Sequence, residues 1–182
     1  KKKVAHGTKN CTRSAAMSED ELHTALQAGA DIVRSLPGNI IAFGEMGIAN
    51  TSSAALLLHR LTDITLKDAT GRGTGLTDPQ LLHKRKVLML AVLRHPDAVD
   101  PLQVMAAMGG FEIAMMTGAM LQAASQRRVI LVDGFISGAA ALGAQGLAEA
   151  RVDLLVAHGR HADVFHEVIG HGRHDLLGPR FG

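Results

Sequence analysis

The sequence predicts an α/β fold with a mainly parallel sheet. Three observations carry that expectation. Two short, wholly apolar runs, Ile40-Ile41-Ala42-Phe43 and Val129-Ile130-Leu131-Val132, suit strands buried on both faces. Each run leads into a glycine-containing loop and then a helical pattern, the alternation that builds parallel sheets. The chain has 182 residues, 47% hydrophobic and 20% charged, enough for one domain with a substantial core.

The elements follow in order. Residues 18–34 open with Ser18 and carry Glu21 three places on, a capping box. Apolar residues then recur at Leu22, Ala25, Leu26, Gly29, Ile32 and Val33, one face of a helix. Pro37-Gly38-Asn39 is a turn, 40–43 the first strand, 44–50 a glycine loop and 51–61 an Ala/Leu-rich helix. Residues 68–78 form a second loop, with Gly71, Gly73 and Gly75. A helix over 79–93 has Pro79 in its first turn, where its missing N–H costs nothing. Pro96 breaks the chain, and helices over 101–108 and 111–126 meet at Gly109-Gly110. Residues 129–132 are the second strand, 137–150 a small-residue helix and 152–157 a third strand. Met105, Met108, Met115, Met116 and Met120 recur at helical spacing and are read as core. The division is a core over 1–157 and a tail over 158–182 carrying His158, His161, His166, His171 and His174.

Composition excludes several classes. Nineteen basic against 17 acidic side chains give a net charge of only +2, too little for a polyanion-binding surface. The chain lacks Trp and Tyr, so stacking on single-stranded nucleic acid is not expected. The longest apolar runs, 87–93 and 129–132, fall far short of the roughly 20 residues that span a bilayer. Lys1-Lys2-Lys3-Val4 is not followed by the apolar stretch of a signal peptide. The single cysteine, Cys11, fits a reducing compartment. The first residue is not Met, which fits a processed start or one inside a longer protein.

The candidate chemistry gathers beyond strand ends, where open α/β sheets bind ligands. Gly44-Glu45-Met46-Gly47-Ile48-Ala49-Asn50-Thr51 follows the first strand and opens a helix. Its glycines, free amides and hydroxyls make either a phosphate cradle or a tight turn with an ordinary cap. Glu45 directly after an apolar strand is either a sheltered proton-transfer group or a carboxylate that holds the turn. Gly71-Arg72-Gly73-Thr74-Gly75 is a second anion site or a surface loop, with Lys84 in reach from the next helix. Gly109-Gly110 before Phe111 is a backbone approach or a helix break, and Asp133-Gly134 a ribose contact or a turn. His158-x-x-His161 and His171-x-x-His174 have metal-ligand chemistry, but glycines interrupt any helix that would hold them, and no metal site is assigned.

Taken together, the motifs closely resemble the nicotinate-nucleotide–dimethylbenzimidazole phosphoribosyltransferase family of cobalamin nucleotide-loop assembly. The resemblance rests on Gly7-Thr8-Lys9-Asn10, Ala16-Met17, the Gly44–Thr51 and Gly71–Leu76 stretches, Gly109-Gly110-Phe111-Glu112-Ile113 and Asp133-Gly134-Phe135-Ile136, in that order. It covers about residues 4–156. It implies a Rossmann-like three-layer fold and a cytoplasmic homodimer. It also implies transfer of phosphoribose from nicotinate mononucleotide to a benzimidazole-type base, without metal or organic cofactor. Glu45 becomes the candidate catalytic residue. Gly44, Met46, Gly47, Ile48, Asn50, Thr51, Gly71, Arg72, Gly73, Gly75, Lys84, Gly109, Gly110, Phe111, Asp133 and Gly134 become candidate substrate contacts. Three positions depart from the family pattern: Lys9 for a usual Arg, Ala15 for Pro and Ala49 for Gly. Family members are about twice as long and carry a later Glu that is the favoured base. Two readings follow for this chain: a phosphoribosyltransferase, either whole in an unusual form or as an incomplete chain, or a non-catalytic nucleotide-binding remnant or subunit.

Overall fold

A computed structural model describes residues 1–148 and the backbone of 154–156. The element order is α1 (Glu19–Ser35), β1 (Ile40–Gly44), α2 (Thr51–Leu61), α3 (Leu66–Ala69), α4 (Asp78–Arg94), α5 (Pro101–Met108), α6 (Phe111–Ser125), β2 (Val129–Asp133), α7 (Phe135–Leu147) and β3 (Leu154–Val156). The three strands form one parallel sheet in the order β1-β2-β3. Ile40 pairs with Val129 and Gly44 with Asp133, so β1 and β2 end level and deliver their loops to one edge. The α/β fold with a parallel sheet is therefore as the sequence predicts.

Local chemistry sets most element boundaries. The Ser18 hydroxyl accepts from the Glu21 amide while the Glu21 carboxylate accepts from the Ser18 amide, which starts α1. Gln80 Oε1 likewise accepts from the Thr77 amide ahead of α4, and Asp100 Oδ1 from the Gln103 amide ahead of α5. The helix α3 lies where the sequence suggests only loop. Four residues are too few to show an apolar period. The Thr65 hydroxyl caps α3 by accepting from the Asp68 amide.

The core joins Leu22, Val33, Leu56, Leu57, Leu58, Met105, Met108, Ile113, Met120, Ile130 and Val132. Met105, Met108 and Met120 lie within it as expected, whereas Met115 and Met116 are half-buried. The sheet departs more clearly from expectation. Ile41, Phe43, Ile130 and Val132 share the face turned to the helices. Ile40 is 64% and Val129 40% exposed on the other face, and Ala42 is exposed beside them. β1 is the sheet's edge among the described residues, so its wholly apolar composition is only half used. The described residues cover one face of the sheet. Among the described residues no second layer covers the other face, and the histidine-rich stretch lies outside them.

The tightest packing is between α1 and α6. Gly29 lies against the Met115 carbonyl and Gly118 against the Leu26 carbonyl, backbone to backbone. A Cβ at either glycine would fall inside the opposing oxygen's van der Waals shell. On the far side of α6, the buried Thr117 hydroxyl donates to the Ala140 carbonyl of α7 at 3.0 Å. Replacing Gly118 with Ala is expected to push α1 from α6 and lower stability by about 1–3 kcal/mol, the usual cost of overpacking. A urea melt of Gly118→Ala beside wild type measures this; an unchanged midpoint would mean that the two helices are not held at this distance.

Candidate functional site

The loops that follow β1, α3, α5 and β2 converge. Lys84, in the second turn of α4, ties two of them together. Its Nζ donates to Thr51 Oγ1 at 3.0 Å and to the Gly71 carbonyl at 3.2 Å. Gly73 is close by: a Cβ there would sit 3.4 Å from Thr51 Oγ1 and 3.9 Å from Lys84 Nζ. Thus the 44–51 and 71–75 loops meet on one side of the molecule. Lys84 is half-buried, and burial pushes its ammonium below the usual lysine value of 10.5. Among the described residues no carboxylate pairs with it.

Carboxylates flank this lysine site from other elements. Asn50 Nδ2 donates to Glu112 Oε1 at 3.3 Å, which joins the start of α2 to the start of α6. Gly110 lies so close to the Glu112 carboxylate that a Cβ at that position would clash with it. Asn50 Oδ1 is buried and finds no partner among the described residues. Asp133, at the end of β2, stands beside Gly44; a Cβ on Gly44 would lie 3.8 Å from Asp133 Oδ2. Gly47 approaches Ile136 at the start of α7. The first amides of α2 have no intrahelical acceptor and face this edge of the sheet, where the helix dipole favours negative charge.

Several predicted residues take other positions or partners. Glu45 is exposed, not sheltered, because β1 is an edge strand and Met46 (84% exposed) and Ile48 (62%) turn outward instead of covering it. The Glu45 carboxylate accepts from the Gly47 amide, the turn-holding arrangement the sequence also allows. Arg72 bonds Asp78 and the Leu76 carbonyl, so its guanidinium is turned along its own loop and away from Lys84. Gly75 has a left-handed backbone (φ +112°) and no neighbour within 4 Å of the position a Cβ would take. Gly109 and Gly110 are buried, Phe111 packs against the core, and Gly134 (φ +93°) caps α7. Glu112 is the site residue that sequence reasoning misses as a contact; the available signal is an acid in the first turn of a helix directly after a Gly-Gly pair.

Ala49 adds strain to the same loop. It adopts φ +71°, a left-handed conformation that L side chains resist, two residues after Gly47 at φ +77°.

A parallel sheet whose strand ends carry glycine loops gathered at a lysine belongs to the open α/β class, in which ligands bind beyond the carboxyl ends of the strands. The comparisons narrow this. The phosphoribosyltransferase family model matches residues 1–171, and the chain belongs to that family. It is 54% identical over 148 residues to the nicotinate-nucleotide–dimethylbenzimidazole phosphoribosyltransferase of Cupriavidus taiwanensis, covering 80% of this chain and 43% of that protein. It is 46% identical over 190 residues to the enzyme of the same name from Dechloromonas aromatica, covering 99% and 55%. The crystal structure of CobT from Thermus thermophilus superposes with a TM-score of 0.86 at 32% identity, over 93% of this chain and 53% of that one. The chain thus spans about half the length of the curated relatives it matches.

Replacing Ala49 with Gly is expected to relieve the left-handed strain and raise stability by about 1 kcal/mol, less the entropy that glycine adds to the unfolded chain. Calorimetry reads this directly. An unchanged or lower Tm would show that the loop does not hold Ala49 at positive φ.

Proposed function

We propose that this chain carries the phosphate- and ribose-binding part of a nicotinate-nucleotide–dimethylbenzimidazole phosphoribosyltransferase, acting in cobalamin biosynthesis. One observation carries the reading: Lys84 is a half-buried cation held by a hydroxyl and a carbonyl, with no carboxylate partner among the described residues. A desolvated charge of this kind is best satisfied by an anion from outside. The amides of the 44–51 and 71–75 loops and the start of α2 supply the remaining donors for a 5'-phosphate. Gly44, Gly47, Gly73 and Gly110 let ligand and backbone approach closely.

In the proposed reaction a ring nitrogen of dimethylbenzimidazole attacks C1' of nicotinate mononucleotide. The bond from C1' to the pyridine nitrogen breaks, its electron pair leaves with nicotinate, and the proton on the second benzimidazole nitrogen passes to a base. Positive charge grows on the ribose as the bond breaks, and the reading assigns its stabilisation to Glu112 and Asp133, with Glu45 from the exposed loop beside them. The family resemblance supports a cytoplasmic homodimer. Apolar side chains left exposed on α4 and beyond it, Leu82, Leu93 and Val99, offer area for a subunit contact.

Titration with nicotinate mononucleotide and a turnover assay with dimethylbenzimidazole test the reading. Weak binding with turnover at least about 10²-fold below that of the longer relatives is expected, because the chain spans about half their length and the loss of one positioned group costs that much. Glu45→Gln is expected to keep the fold and lower turnover or affinity; a lower Tm with intact binding would make Glu45 a turn residue only. Robust product formation by the chain alone, abolished by Glu45→Gln, would show that it holds a complete catalytic site. Binding without any turnover would favour the non-catalytic subunit.

The pH dependence follows from Lys84. Its folded value lies below 10.5, so as pH rises the free protein loses this charge before an ordinary lysine would. Affinity for nicotinate mononucleotide should therefore fall as pH is raised through that depressed value. Lys84→Arg, which stays charged, should abolish the fall. A flat profile in wild type would remove Lys84 from the phosphate.

A further inference from the structure

We infer that Arg85 is the positioning residue of the 71–75 loop: by holding the C-terminal carbonyls of α3 it fixes the point from which that loop reaches Lys84. The inference deepens the phosphate reading above and rests on it for its ligand.

The observations start at α3. A helix of four residues is far below the length that is stable by itself, so tertiary bonds must hold it. Its N-terminus has the Thr65 cap. Its last carbonyls have no intrahelical donors and carry the negative end of the helix dipole. Arg85 Nη2 supplies the missing donor, at 3.0 Å from the Lys67 carbonyl and 3.4 Å from the Thr70 carbonyl. Thr70 is buried, and its hydroxyl donates back to the Leu66 carbonyl at 2.6 Å, so the end of α3 is closed from both sides.

The next residue is Gly71, whose carbonyl accepts from Lys84. Neighbouring residues of α4 thus grip neighbouring residues of one strand of chain. Arg85 holds Thr70, and Lys84 holds Gly71 together with Thr51. Their roles divide by chemistry. The lysine is a compact charge able to turn toward an anion, while the planar guanidinium presents both N–H groups of one nitrogen, Nη2, to two carbonyls at once. Arg85 is half-buried, and its Nε is buried with no partner among the described residues. The side chain is therefore fixed in the structure at some cost in desolvation. Arg72, the loop's own arginine, is turned along the loop to Asp78 and Leu76, so it does not secure the loop's root at α3.

The test uses the 182-residue chain with Arg85→Gln and Arg85→Lys, and has two arms. In hydrogen exchange without ligand, Arg85→Gln is expected to speed exchange of the 66–75 amides about tenfold, the loss of one charged hydrogen bond, with α1 and α6 unchanged. Arg85→Lys should restore part of the protection. In titration, Arg85→Gln should weaken nicotinate mononucleotide about tenfold and leave nicotinate riboside, which lacks the phosphate, unchanged. Unchanged exchange at 66–75, or equal losses for the two ligands, would overturn the inference. So would loss of protection throughout the molecule in both variants, which would make Arg85 a general stability residue. If wild type binds the mononucleotide no better than the riboside, the phosphate reading fails, and the exchange arm alone then decides whether Arg85 anchors the loop.

Discussion

The close approach of α1 and α6 is the constraint on which the rest of the molecule depends. Gly29 and Gly118 remove the side chains that would hold the two backbones apart, and carbonyls take their place in the interface. A helix packed in this way cannot slide or rotate without driving Cβ atoms into oxygens. Thr117 fastens the next turn of α6 to α7 inside the core. The axis so fixed has one end at Gly110 and Glu112 and leads at the other into β2. The position of the carboxylate beside Asn50 and the level at which Asp133 leaves the sheet therefore share one mechanical origin.

Upon this frame the site holds two cations that no carboxylate pairs with among the described residues. Lys84 and Arg85 are both half-buried and both bonded to neutral oxygens. Carboxylates stand nearby, yet they are engaged elsewhere: Glu112 with Asn50, Glu45 with the Gly47 amide. Separating the charges by function gives the cleft two zones. One, around Lys84, Thr51 and Gly73, suits a phosphate. The other, along Gly44, Asp133 and Glu112, suits a ring on which positive charge develops. A ligand with an anionic end and a sugar adjoining it matches that order.

Strain and exposure mark the same region. Ala49 occupies a left-handed conformation where the family pattern has glycine, and Met46 and Ile48 project outward from the loop. Among the described residues the other non-glycine residue with a left-handed backbone is Arg127, in the turn between α6 and β2. Parallel strands are ordinarily covered on both faces, so the exposure of Ile40 and Val129 belongs with this loop: both lie on the side of the sheet that the described residues leave open. The fold is thus built on the packed side, and the chemistry is concentrated toward the open one.

Much of this was legible in the sequence, for local reasons. Caps, turns and apolar periodicity act within a few residues, so α1, α2, α5, α6 and the three strands could be placed from Ser18, Glu21, the Gly109-Gly110 break and the apolar runs alone. Motif order identified the family and the loops that meet at Lys84. The sequence could not show that β1 would be the sheet's edge among the described residues or that Met46 and Ile48 would turn outward, and together these leave Glu45 exposed. Nor could it show that Arg72 would turn to Asp78 while Arg85 reached back to α3. Arg72 lies in the loop ahead of α4 and Arg85 in the middle of that helix, and neither local setting names a partner. Which carbonyl or carboxylate each one meets depends on long-range packing. The sequence by itself determined the elements and the chemistry available at their ends, because those depend on near neighbours. Tertiary structure alone decided which carbonyls and hydroxyl Lys84 and Arg85 meet, because that depends on how α3 and α4 pack together in space.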